Sequence, residues 1–240
     1  MEPNGPLEPL QFGLLVDSDG AYLGDRYAIA ISSGVLYLNL ARPWKELNSA
    51  SRAFVIGEAG TSGWSPLPGA ELEARAVASL FAHPQLVVNH SLNSPEIADD
   101  MARAQIFHFA GHADTSLQSS WPELVGIRAT ELLRSGVMRG SEIQIAVLSG
   151  CSTSRGTSGQ FDDGNSLVRT LQAAQVPTVV ASRWPVDSTA SIVLMKDFYS
   201  RLLTGEEPSQ ALTEAEHTVR SQAQFAHPYY WAAFSVFGRG

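Results

Sequence analysis

Residues 143–152 read Ile-Gln-Ile-Ala-Val-Leu-Ser-Gly-Cys-Ser. An apolar run stops at Gly150, and the next side chain is the thiol of Cys151. Residues 104–113, Ala-Gln-Ile-Phe-His-Phe-Ala-Gly-His-Ala, end in the same way, with His112 after Gly111. Apolar runs without strict alternation mark strands covered on both faces, as in parallel sheets. Further runs of this kind lie at Ala53–Gly57, Gln85–Asn89, Thr178–Ser182 and Ala232–Phe237. Helical patterns separate them. Ala70–Ala82 carries apolar residues at helical spacing, with Leu72, Ala76 and Leu80 on one face. Ser94-Pro95 opens a helix, serine as N-cap and proline at the first helical position. Ala129–Arg134, Asn165–Ala174, Ser188–Leu203 and Pro208–Gln222 complete the helical set. Alternating strands and helices predict an α/β fold, a mostly parallel central sheet with helices on both faces. Upstream, Ala21–Ile31 and Gly34–Leu40 flank Ser32-Ser33-Gly34 and predict an N-terminal β-hairpin. Residues 1–11 read as a proline-rich tail, and 12–240 as a single domain.

Composition removes several function classes. The 240 residues are 44% hydrophobic and 17% charged, enough for a sizeable dry core. Acids outnumber bases 24 to 16, a formal charge of −8, so the basic footprint of a nucleic-acid binder is missing. The polybasic signal of a protein that docks on anionic membranes is missing too. No apolar run approaches the ~20 residues of a spanning helix. The first ten residues have no apolar core of a signal peptide, so a cytoplasmic location is expected. A single cysteine allows neither an internal disulfide nor a multi-cysteine metal site.

Open parallel sheets bind ligands at the carboxyl ends of their strands. His112 and Cys151 both stand there, and the chain between them is long enough for one crossover, which predicts neighbouring strands. Imidazole beside a thiol shifts its pKa or handles protons, and the thiolate is a nucleophile for acyl transfer. The histidine then protonates the leaving amine. Backbone N–H groups of Cys151 and Ala113 are the candidate oxyanion donors. The competing reading of Cys151 is packing, since free cysteine is among the most buried residue types. His108 and His112 are four apart, but on a strand that spacing makes no metal pair, and His108 reads as a core histidine. Ser149, Ser152 and Ser154 do not form a GxSxG elbow. Gly156–Gly164 lacks the lysine of a phosphate loop, and no metal or cofactor is expected.

The runs His-Phe-Ala-Gly-His-Ala and Leu-Ser-Gly-Cys-Ser-Thr, with Val180–Asp187 (Val-Ala-Ser-Arg-Trp-Pro-Val-Asp), resemble a CHAT domain. This is a caspase-like cysteine peptidase module related to separase. The resemblance continues through Lys196–Tyr199 and Ala211-Leu212 to His227–Phe234, and Phe12–Tyr27 looks like the usual start of such domains. It implies the caspase–haemoglobinase fold and a cysteine endopeptidase with a His112–Cys151 dyad and the Ala113 and Cys151 amides as oxyanion hole. It implies no cofactor, a protein or peptide substrate, and control by a regulatory protein or a fused repeat or sensor domain. Ala113–Trp121 and Ser152–Gly164 are the expected switch loops. The substrate is expected beside Ser182–Asp187, involving Ser182, Arg183, Trp184 and Asp187, with Asp162 and Asp163 from the loop after Cys151. Asp187 either receives a basic substrate residue or caps the helix at Ser188. Arg183 either pairs with Asp187 or favours an acidic substrate residue. Trp184 walls the groove or covers the sheet. Many members have glycine at 113, alanine at 150 and leucine at 183, where this chain has Ala113, Gly150 and Arg183. A catalytically silent interaction module and a thiol acyl hydrolase of small substrates are the alternative functions.

Overall fold

Five of the expected apolar runs become neighbouring parallel strands, in the computed structural model that describes residues 1–3, 7–32, 34–58, 67–88, 94–114, 123–124, 127–128, 141–150 and 167–240. In chain order the strands are β1 (Ala30–Ile31), β2 (Ala53–Gly57), β3 (Gln85–Val88), β4 (Ile106–Gly111), β5 (Ala113–Asp114), β6 (Glu123–Leu124), β7 (Ile127–Arg128), β8 (Ile145–Gly150), β9 (Thr178–Ser182) and β10 (Phe234–Gly238). The main sheet has seven strands in the order β1-β10-β9-β8-β4-β2-β3, and β5, β6 and β7 form a small antiparallel sheet. β10 runs antiparallel to β9, with β1 parallel to it on the outer edge.

The helices are α1 (Val35–Leu40), α2 (Pro68–Ala78), α3 (Ser94–Arg103), α4 (Leu167–Ala173), α5 (Ser188–Leu202), α6 (Pro208–Arg220) and α7 (Pro228–Trp231). They divide by sheet face, because successive strand residues point to opposite sides. Val55, Ile106, Ile145, Val147, Val180 and Val236 pack against Ala74 and Val77 of α2, Leu194 and Phe198 of α5, and Ala211 and Ala215 of α6. On the other face, Phe54, Phe107, Phe109, Ala146, Leu148 and Val179 pack against Ile97 and Met101 of α3 and Leu171 of α4.

Two sequence expectations are corrected. The N-terminal β-hairpin does not form: Gly34 at φ +125° leads into α1, and only Ala30–Ile31 is a strand. A run as short as 35–40 fits helix or strand equally by periodicity, and tertiary context decides it. In α2, Leu72 is 58% exposed, while Ala70, Glu73, Ala74 and Val77 face inward. Met1 and Gln11 bond to the sheet. The Met1 ammonium donates to the Ala30 carbonyl at 2.8 Å, and Gln11 Nε2 donates to the carbonyls of Ala232 and Phe234 at 2.7 and 2.9 Å. The expected short helix Ala129–Arg134 lies outside the described residues.

At Gly57 the sheet comes close to α2. A Cβ there would stand 2.6 Å from Ala74 Cβ and 2.9 Å from the Ala70 carbonyl oxygen. Gly57→Ala is expected to destabilise the domain by about 1–3 kcal/mol through overpacking, read as a lower urea midpoint at unchanged m-value. A second prediction concerns Glu216, which lines a cavity of about 30 Å³ between the N-terminal segment and α6, with Gln11, Thr213 and Ser235. Burial pushes its carboxyl well above the ordinary range. A raised folded-state pKa means that the ionised form burdens the native state at neutral pH, and that the burden vanishes once both states are protonated. Glu216→Gln is therefore expected to raise Tm at pH 7–8, with the gain fading towards pH 4.

Candidate active site at the carboxyl ends of β4 and β8

β4 and β8 lie side by side in parallel register from Ile106↔Ile145 to Gly111↔Gly150. The ladder closes on a pair of glycines, and the chain continues from them into His112 and Cys151. His112 is half-buried. Ala113 is buried, opens β5 and pairs with Leu124. Cys151, Asp162 and Asp163 lie outside the described residues.

The end of β4 is crowded. A Cβ on Gly111 would stand 2.9 Å from both Glu58 Cβ and Phe109 Cζ, so glycine is required here for close approach. The Glu58 N–H donates to the Ala110 carbonyl at 2.8 Å, carrying the β2–β4 ladder one residue past β2. Glu58 is buried beside Gly111, an acid next to the candidate site that the sequence pattern did not single out. The end of β8 is gripped from β9. The backbone ladder between them ends at Leu148↔Ala181, and beyond it Ser182 Oγ donates to the Gly150 carbonyl. Ser182 is fully buried, so it supports the strand before Cys151 and does not line a groove, as the sequence suggested.

The loop Ser182–Asp187 also departs from expectation. Arg183 is only 2% exposed. Its Nε donates to Ser235 Oγ at 2.7 Å, its Nη1 donates to the Glu8 carbonyl at 3.1 Å, and its guanidinium stands 5.8 Å from the Phe237 ring centre. Ser235 Oγ in turn donates to Gln11 Oε1 at 3.1 Å. This arginine ties the loop after β9 to the N-terminal segment and is too buried to meet a substrate. Trp184 packs partly buried against the α2/α5/α6 core and donates from Nε1 to the Tyr229 carbonyl at 3.0 Å. Asp187 caps α5: its Oδ1 accepts from the N–H groups of Thr189 and Ala190 at 3.0 and 2.9 Å.

Below the glycine pair, on the α2/α5 face, lies a group of buried polar side chains that the sequence did not reveal as a group. Ser191 Oγ donates to Glu73 Oε2 at 2.7 Å and lies 3.2 Å from Ser149 Oγ. Glu73 Oε1 stands 3.3 Å from His108 Nε2, and His108 Nδ1 stands 3.3 Å from the Tyr199 hydroxyl. Glu73 is 3% exposed, Ser191 2%, Ser149 3%, and His108 and Tyr199 are fully buried. Burial first, and then the Glu73 carboxylate, push the Tyr199 hydroxyl well above its ordinary range, so it stays protonated. The readable signal was Glu73 itself. It shares a helical face with Ala70, Ala74 and Val77, where a lone acid is rarely buried unless partnered. No group of three His, Cys, Asp or Glu side chains among the described residues could hold a metal ion.

The CHAT domain model matches residues 1–239. The chain belongs to the CHAT domain family. Among solved structures, this CHAT domain is similar to separase in the Saccharomyces cerevisiae separase–securin complex. The TM-score is 0.62 at 14% identity, covering 92% of this chain and 14% of that one. It is also similar to RgpB of Porphyromonas gingivalis, in a complex of its pro- and mature domains, with TM-score 0.58 at 11% identity over 85% of this chain and 51% of that one. These likenesses establish a caspase-like α/β fold. In sequence, it is 26% identical to human tetratricopeptide repeat protein 28 over 98% of this chain, and 27% identical to the mouse protein over 73%. The chain spans 12% and 9% of those relatives. No helix among the described residues is long and apolar enough to cross a membrane.

The Arg183 contacts of this CHAT domain make a stability prediction. Arg183→Leu strands the hydrogen-bonding groups of Ser235 and Glu8, and is expected to cost about 1.5–3 kcal/mol in urea unfolding. Adding Ser235→Ala is expected to cost less than it does alone, because the two residues share one bond.

Proposed function

We propose that this CHAT domain is a cysteine endopeptidase. The observation that carries the reading is the β4–β8 register, which ends on Gly111↔Gly150 with His112 and Cys151 next in the chain. In the proposed reaction the Cys151 thiolate attacks the scissile carbonyl of a protein substrate. The N–H groups of Cys151 and Ala113 stabilise the oxyanion. His112 gives its proton to the departing amine, and water releases the acyl group. The caspase-like fold supports this assignment, as does the sequence position of both residues directly after the carboxyl ends of β4 and β8, where open α/β sheets bind ligands.

The net charge of −8 favours a basic substrate segment. Asp187 is the acid we propose for its cleavage residue, with Asp162 and Asp163 as further contributors. Oδ1 of Asp187 takes both capping bonds. The relatives are named as tetratricopeptide repeat proteins, so we propose a fused helical-repeat segment or a separate regulatory protein as the partner that controls activity.

A peptide library incubated with wild type and with Cys151→Ala tests the reaction. Wild type, supplied with its regulatory segment, is expected to cut, and Cys151→Ala and His112→Ala to lose at least ~10³-fold in kcat/KM. Equal silence of wild type and Cys151→Ala on every peptide points to an interaction module, and turnover of small thioesters or amides alone points to a small-substrate hydrolase. Asp187→Asn keeps a capping side chain and removes the charge. It is expected to weaken cleavage after Arg or Lys while leaving Cys151 alkylation unchanged. Cleavage confined to sites after acidic residues rules Asp187 out.

A further inference from the structure

The buried polar side chains beneath the site form an ordered chain, and donor counting fixes its direction. A hydroxyl has one proton to give. Ser191 gives its proton to Glu73 Oε2, so the 3.2 Å contact between Ser149 and Ser191 must be donated by Ser149. An ionised carboxylate only accepts. On its other side, His108 turns Nε2 towards Glu73 Oε1 at 3.3 Å, off the line of an aligned bond. Its Nδ1 lies 3.3 Å from the Tyr199 hydroxyl. The serine arm runs inward to the Glu73 carboxylate and joins β8 through α5 to α2, and the His108–Tyr199 contact joins β4 to α5.

Ser149 and Gly150 are the two residues before Cys151, and both are held by side chains, Ser149 by Ser191 and the Gly150 carbonyl by Ser182. We propose that Glu73, acting through Ser191 and Ser149, is the positioning residue that holds the carboxyl end of β8 in the geometry the nucleophile needs. The inference rests on the peptidase reading above. Glu73 touches no reacting atom in it. Its carboxylate sets the orientation of Ser191, and Ser191 sets that of Ser149.

Three substitutions separate positioning from simple stability. Glu73→Met removes the acceptor, and Ser191→Ala cuts the arm to β8 with little change in volume. Glu73→Gln keeps an acceptor for Ser191 and removes the charge. In cleavage assays with the regulatory segment present, Glu73→Met and Ser191→Ala are expected to lower kcat by about 10–100-fold with KM within about threefold. Glu73→Gln should stay within about threefold of wild type in both. The double variant Glu73→Met/Ser191→Ala should be no worse than Glu73→Met, because both cut one arm. Hydrogen exchange, which does not depend on catalysis, should rise at residues 148–150 in Ser191→Ala while β2 keeps its protection. Wild-type kcat in Ser191→Ala, additive losses in the double variant, or exchange that rises equally across β2 and β8 overturns the positioning role. If wild type and Cys151→Ala are equally inactive, the peptidase reading fails, and the exchange result alone decides whether Glu73 holds the end of β8.

Discussion

The β4–β8 ladder is the contact on which the rest of the site depends. Parallel pairing fixes register residue by residue, and a slip of one position moves every side chain to the opposite face. Here the register runs unbroken to Gly111↔Gly150. Glycine at the end of β4 lets neighbouring chain come in close, as Glu58 does against Gly111. The flanking strands extend the same order outward. Glu58 continues β2 onto β4, and Ser182 continues β9 onto β8 through its hydroxyl after the backbone ladder has stopped. The two strand ends are thus clamped from both sides.

The sheet face beneath the site is unusual in what it buries. One face is built mainly from apolar side chains, with Phe54, Phe107, Phe109 and Leu148 under α3 and α4. The other admits Glu73, His108, Ser149, Ser191 and Tyr199 among Val55, Val147 and Phe198. Burying polar groups without partners costs stability, so such a set persists where its members satisfy one another. Here most of the donors and acceptors match around one carboxylate. Low local polarity strengthens each bond and makes each loss costly, so the arrangement resists deformation. That rigidity lies directly below the strand ends.

The N-terminal segment is hydrogen-bonded to the sheet edge. Gln11, Ser235 and Arg183 form a continuous hydrogen-bonded series from the segment across β10 to the loop after β9. Arg183 stands where many CHAT domains have leucine, and its charge is absorbed by packing and by backbone and hydroxyl partners. The loop that approaches the site from β9 is therefore mechanically joined to the first residues of the chain.

Much of this was legible from the residues. Continuous apolar runs marked β2, β4, β8 and β9 to within two residues, because strands covered on both faces have no polar positions to confuse the pattern. Asp187 as helix cap and His108 as core residue followed from local chemistry. The motifs around His112 and Cys151 named the family. Short segments were less readable. Val35–Leu40 fits helix or strand alike, and two-residue strands such as β5 to β7 carry no period at all. Which way Arg183, Ser182 and Glu73 point was settled by tertiary packing alone, because each is polar and its position depends on partners distant in sequence. Ser191 meets Glu73 across 118 residues, and Arg183 meets the Glu8 carbonyl across 175. Periodicity reports which face a residue occupies. Only the folded chain brings the hydrogen-bond partners together that make burying a charge on that face tolerable.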